Sequence, residues 1–167
     1  MKVSEITTTL LANYLRLDGP DATTLGELTV LLDIAKTYIK SYTGIQDISV
    51  TGEEVGTGDD IETGFYLANT NIISGSQDVY VNSVKKTVTT DYSIDGVKGK
   101  VTFISAPADG AEITAGYELG LDAYSDFVIV IYVLIQDMYD NRTLYVEKDK
   151  LNRVVETILS MHSTNLL

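Results

Sequence analysis

Residues 21–44 read DATTLGELTVLLDIAKTYIKSYTG, and this stretch decides the fold class of the chain's ends. Leu25, Leu28, Leu31, Leu32, Ala35, Tyr38, Ile39 and Tyr42 recur in steps of three and four, the spacing that puts side chains on one face of an α-helix. Asp21 stands where an N-cap carboxylate would satisfy the first free N–H groups. Thr43-Gly44 closes the segment, with glycine just past the last turn, where a left-handed residue ends a helix.

Working outward, Asp18-Gly19-Pro20-Asp21 is a turn. Before it, Thr7 or Ser4 caps a shorter expected helix through Leu15, with Leu10, Leu11, Tyr14 and Leu15 on one face. Near the other end, residues 127–135 are apolar at every position, so periodicity alone does not separate strand from helix. Extension through Gln136, Asp137, Met138, Tyr139 and Asp140 favours a helix, buried on most sides. A last helix is expected from about Lys148 to His162, with Leu151, Val154, Val155, Ile158 and Leu159 on one face.

The middle differs. Residues 51–64 are rich in Gly, Asp, Glu and Thr and read as a mobile linker. From Phe65 onward, alternation replaces helical spacing. Short strands are expected at Val79-Tyr80-Val81-Asn82, over 84–89, at Tyr92-Ser93-Ile94, over 100–104 and over 111–117. Asn82-Ser83, Asp95-Gly96 and Asp109-Gly110 serve as turns between them. The expected class is therefore α+β: a small four-helix bundle, two helices from each end, carrying an inserted antiparallel β-sandwich or barrel-like module. The boundaries are 1–50 with 122–167 for the discontinuous helical domain and 51–121 for linker plus β module.

Composition excludes much chemistry. The chain has 167 residues, 44% of them hydrophobic, which suffices for a real core. It has no cysteine, so disulfides, thiolate nucleophiles and cysteine metal sites are absent together. No apolar run reaches the roughly 18–20 residues that span a bilayer. No long apolar stretch follows Met1-Lys2-Val3-Ser4-Glu5, so no signal peptide and a cytosolic site of synthesis are expected.

The net charge is −12. Residues 51–120 carry most of the excess, with four basic and eleven acidic side chains. Such a surface keeps a protein soluble and repels nucleic acid, so a duplex-binding role is not expected. His162, the single histidine, has no G-x-S-x-G elbow to serve and reads as a helix-end residue. Asp59, Asp60 and Glu62 do not follow the spacing of an EF-hand loop. Gly52-Glu53-Glu54-Val55-Gly56-Thr57-Gly58 has glycines but lacks the P-loop lysine. No catalytic, cofactor or metal residue is assigned, and no cofactor is expected. Eleven tyrosines are notable; Tyr38, Tyr42, Tyr132 and Tyr139 are expected in the helical core, and Tyr80, Tyr92 and Tyr117 in the β core.

The two ends resemble a known family. Val3-Ser4-Glu5-Ile6, Asn13-Tyr14-Leu15-Arg16-Leu17-Asp18-Gly19, and the run from Ala35 through Tyr38, Ile39 and Tyr42 to Gly44 are similar to the start of small helical head–tail connector (adaptor) proteins of tailed phages. The stretch from Asp126 through Asp137-Met138-Tyr139-Asp140-Asn141-Arg142 is similar to that family's third helix, and the tail Ser163-Thr164-Asn165-Leu166-Leu167 also fits. The resemblance covers about residues 1–45 and 122–167; the β segment departs from short members, which join the helix pairs directly. Motif residues are Tyr14, Arg16, Tyr38, Tyr42, Gly44, Asp126, Tyr139, Asn141 and Arg142.

The resemblance implies a non-enzymatic structural subunit of the virion or prophage neck, made in the bacterial host cytoplasm. It implies a homo-oligomeric ring, typically of twelve copies, beneath the portal protein. DNA passes through the lumen without specific binding, a further neck or stopper component docks below, and no membrane is involved. Residues 163–167 are the expected portal contact. The alternative is a binding module whose β domain recognises capsid, host surface or carbohydrate.

Overall fold

The computed structural model describes residues 1–141 and 152–163. The chain is α+β and divides into two compact units: residues 1–46 with 124–167, and Asp47–Ala123.

The first unit contains four α-helices among the described residues: α1 (Thr8–Tyr14), α2 (Ala22–Thr43), α3 (Phe127–Asp140) and α4 (Arg153–His162). A short 3-10 turn, Val3–Glu5, precedes α1. Asp21 Oδ1 accepts from the Thr24 N–H at 2.8 Å and caps α2, and this hydrogen bond holds the Asp21 carboxyl below its ordinary value. Gly44 ends α2 in the left-handed region at φ 78°, its N–H donating to the Lys40 carbonyl at 2.9 Å. Leu28, Leu32, Ala35, Ile39 and Thr43 form the buried face of α2. Thr43, buried and polar, donates its hydroxyl to the Ile39 carbonyl at 2.7 Å, so its burial leaves no unmet donor.

The helical expectation for residues 127–140 holds, and over 127–135 the helix is covered on most sides: Phe127, Val130, Ile131 and Ile135 are buried, Val128, Tyr132, Val133 and Leu134 half-buried, and Ile129 exposed. In α1 the buried residues are Leu11 and Ala12, and Leu10 and Tyr14 lie outward, so the expected face is rotated. Within α4, Val155 and Leu159 are buried and Val154 is exposed. The expected start of that helix at Lys148, and Leu151, lie outside the described residues.

The second unit holds two antiparallel sheets. One runs β1 (Ile48–Thr57), β7 (Glu112–Leu119), β3 (Asp78–Val81), β4 (Val84–Lys85); the other runs β2 (Gly64–Tyr66), β6 (Lys100–Phe103), β5 (Tyr92–Asp95). Each has two open edges, so neither is a closed barrel and the barrel-like expectation is corrected. Side chains of both sheets share one core: Phe65, Tyr92, Val101 and Phe103 with Val79, Ile113, Ala115 and Tyr117. Asn82 and Ser83, at φ 49° and 63°, make the two-residue turn between β3 and β4, the left-handed pair that matches strand twist. The strand expected over 84–89 shrinks to Val84–Lys85 plus an isolated bridge from Val88 to Tyr92.

The largest correction falls on residues 51–64. Its first half, 51–57, belongs to β1, paired with β7 from Ile48↔Leu119 to Thr57↔Glu112. Two register shifts, between Val50 and Glu53 and between Glu54 and Gly56, break its alternation, and Gly52 takes φ 65° at the first. An edge strand of this kind is solvated along much of its length, so it is written in polar residues. Glu53, which looked like linker charge, accepts from the Tyr117 hydroxyl and from the Ala68 N–H (2.7 Å). Asn69 Nδ2 donates to the same Tyr117 oxygen at 2.8 Å. Burial first, and the Glu53 contact second, push the Tyr117 phenol above its usual value.

Candidate assembly surface

Helix α2 is 22 residues long, about 33 Å at the α-helical rise. Its buried side chains occupy one face. Val30 stands opposite them, and Ile34 and Tyr38, at i+4 and i+8, sweep from it toward the flank; the three are 58%, 48% and 39% exposed. Large apolar side chains in register on a solvent face are unusual for a helix whose other face already supplies its core. Among the described residues this ridge lies outside the buried core of the unit and presents apolar surface to solvent. Asp33 is exposed beside it.

The expectation for Tyr38 is corrected: it lies outward, its ring 6.2 Å from that of Tyr42. Tyr42 is half-buried and its hydroxyl pairs with Ser160 Oγ at 3.2 Å, tying the end of α2 to α4. Of the expected β-core tyrosines, Tyr92 and Tyr117 are buried and Tyr80 is half-buried. Tyr14 is 39% exposed and stacks at 4.7 Å on Tyr132 of α3.

Arg16 is exposed with φ 56° in the turn that ends α1. Its N–H donates to the Asn13 carbonyl at 3.1 Å, and the Leu17 N–H to Ala12 at 3.0 Å. That pair of bonds is the double closure in which glycine is usual, so arginine here carries a backbone cost. Asn141 caps α3, and its Nδ2 donates to Asp137 Oδ1 at 2.8 Å. Tyr139 is half-buried on α3. Arg142, Thr164, Asn165, Leu166 and Leu167 lie outside the described residues. Ser163 ends α4, its hydroxyl donating to the Tyr42 carbonyl at 3.4 Å.

His162 and Asp126 come together, Nε2 to Oδ2 at 2.7 Å. The imidazole also meets Tyr124 and Phe127 edge-on at 4.7 and 5.0 Å. This contact joins the end of α4 to the start of α3, and sequence reading missed it because the two residues stand 36 positions apart. No group of three His, Cys, Asp or Glu side chains placed to hold a metal ion occurs among the described residues. No described helix is long and apolar enough to cross a membrane.

In the β unit the larger groove, about 350 Å³, lies between Asn82, Lys86, Asp91 and Ile104–Ala108. Its one aromatic, Phe103, is a core residue with 5% exposure. The exposed large apolar residues of this unit lie in loops (Ile61, Val97, Ile104) and in strands (Ile48 of β1, Tyr66 of β2, Val84 of β4).

Sequence reading missed the α2 ridge because one helical face already accounted for the apolar residues. Asking which apolar residues were left over would have found Val30 and Ile34.

Neither a scan against protein-family models nor a search of curated proteins finds a match. Among solved structures the chain is similar to one in the neck of an empty gene transfer agent particle computed with C6 symmetry. The identity is 14%, the TM-score 0.45, and the match covers 99% of this chain and 92% of that one. A chain in the virion of a native gene transfer agent particle is similar at 13% identity and TM-score 0.42, over the same shares of the two chains.

Proposed function

We propose that this chain is a structural, non-enzymatic subunit of the neck of a tailed phage or prophage particle: a head–tail connector that closes into a ring beneath the portal. In this reading the four helices form a small bundle that builds the ring. DNA passes through the lumen, and a further neck or stopper component docks below. The ring is typically dodecameric in the resembled family, and the subunit is made in the host cytoplasm and ends in the virion neck.

The observation that carries the reading is the outward ridge Val30–Ile34–Tyr38, an apolar row outside the unit's buried core. A helical face of this kind suits a contact repeated by rotation, which closes into a ring. The sequence resemblance at both ends supports it independently. The helical ends, net −2 over residues 1–50 and −3 over 121–167, carry no basic excess that would release counterions and hold passing phosphates. Residues 163–167 are assigned to the portal. The binding-module alternative has less support, because Phe65, Tyr92, Phe103 and Tyr117 are core residues and Tyr66 alone of the large aromatics in this unit is exposed.

The test is joining in vitro. Purified chain is added to portal-bearing tailless heads together with tails, and complete particles are counted by electron microscopy. Wild-type chain is expected to restore joining, the Ile34→Asp variant to fail, and deletion of residues 163–167 to weaken portal association with folding intact. Joining that proceeds equally well without the chain would contradict the proposal, and undiminished joining by the truncated chain would remove the portal assignment.

A further inference from the structure

A rotational ring needs two different surfaces on each subunit, and the ridge on α2 is one of them. The second is found on α4. Val155 and Leu159 turn into the unit's own core, while Val154 and Met161, 56% and 71% exposed, turn away from it. Between Arg153, Val154, Thr157 and Ile158 lies a shallow, mostly apolar depression of about 310 Å³, large enough for an aliphatic side chain.

Charge selects the pairing. The α2 ridge is bordered by the exposed carboxylate of Asp33, one residue before Ile34, and the α4 depression by the exposed guanidinium of Arg153, one residue before Val154. Among the described residues neither Asp33 nor Arg153 forms an ion pair, so both are available to a neighbour. An aliphatic knob and an acid on one face thus match an apolar hole and a base on the other. Electrostatic complementarity of this kind fixes the register and excludes wrong partners more than it adds affinity.

We propose that the α2 ridge of one subunit packs into the α4 depression of a second copy, Ile34 entering the hole and Asp33 facing Arg153, as a head-to-tail contact. The proposal rests on the ring reading and specifies which surfaces make the ring.

The chain has no cysteine, so single thiols can be placed cleanly. Variants Ile34→Cys, Val154→Cys and the double variant are made in the full chain, with folding checked by far-ultraviolet circular dichroism, and are oxidised mildly. The double variant is expected to give a ladder of covalent multimers on a non-reducing gel. An equal mixture of the two single variants is expected to give dimers, and each single variant alone to stay monomeric on the gel. In a parallel arm, Asp33→Arg is expected to weaken self-association at least about tenfold and Arg153→Asp in that background to restore most of it. Covalent dimers from Ile34→Cys alone would show α2 pairing with itself and overturn the proposal. A double variant that gives no ladder while wild-type chain sediments as a ring would overturn the pairing and leave the ring reading standing. Wild-type chain that stays monomeric at every concentration would overturn both.

Discussion

The helical unit and the β unit treat apolar surface differently. In the β unit, two sheets turn Phe65, Phe103, Tyr92, Ile113 and Tyr117 onto one another, and the exposed apolar residues are spread over several strands and loops. In the helical unit, α2 fills a core with one face and keeps three large apolar side chains at helical spacing outside it. The contrast teaches that exposure alone is not a signal. Scattered exposed apolar residues are normal on a soluble surface, whereas a row at helical spacing outside a buried core needs a partner.

The sharpest way to break that comparison is to empty each kind of site. Phe103→Ala, in the β core, is expected to cost about 3–5 kcal/mol, the range for removing a buried aromatic ring. Ile34→Ala, on the α2 ridge, is expected to change the stability of the isolated subunit by no more than about 0.5 kcal/mol. Urea unfolding of both variants under dilute conditions checks the pair, and equal losses would mean that the ridge is part of the subunit's own core.

A second, smaller effect tests the backbone of the β unit. Gly99 sits at φ 63°, and a Cβ there would fall 2.1 Å from the Asn69 carbonyl oxygen. Gly99→Ala is expected to cost at least about 1–2 kcal/mol from the left-handed conformation alone, with the clash in addition. A midpoint unchanged from wild type would show that the turn relaxes freely.

The pH response sharpens the comparison further. Burial, the first cause at each, raises the phenols of Tyr92 and Tyr117 in the β unit and of Tyr124 and Tyr132 in the helical unit. A phenol raised on folding contributes stability that is fully present below its unfolded value of about 10 and is lost as pH rises through the folded one. Urea midpoints are therefore expected to fall from pH 9 to pH 11. Tyr117→Phe is expected to flatten that fall while lowering stability at pH 7 by about 1–2 kcal/mol through loss of its bond to Glu53. A steeper fall in the variant would contradict the assignment.

The smallest expected effect is at Arg16. Arg16→Gly relieves the left-handed strain but adds freedom to the unfolded chain, and the two nearly cancel, leaving about 0.5 kcal/mol or less. If that variant folds normally and assembles poorly, measured by sedimentation, the Arg16 side chain is held at a contact. Normal assembly would confine Arg16 to the turn.

The same contrast explains what was legible in the sequence. Asp21, the three-and-four spacing through Ile39, and Gly44 specify α2 by local rules, and the structure has that helix capped at both ends as expected. Residues 127–140 were harder, since an all-apolar run has no period, and length alone favoured helix. Strand β1 was illegible because bulges erase alternation and an edge strand lacks the apolar run of a central one; Glu53 and Gly52 look like linker until β7 is alongside. The contact of His162 with Asp126 depends on tertiary packing. The candidate surface was half legible: Tyr38 belonged to a noted motif, yet Val30 and Ile34 were overshadowed by the buried face of the same helix.

Sedimentation velocity of wild-type chain and Ile34→Asp across a concentration series, at moderate salt, tests the central claim most directly. The account predicts that wild-type chain shifts from monomer to a single ring-sized species as concentration rises, and that the variant remains a folded monomer throughout. A variant that assembles as readily as wild type would contradict the assignment of the α2 ridge as the surface that builds the ring.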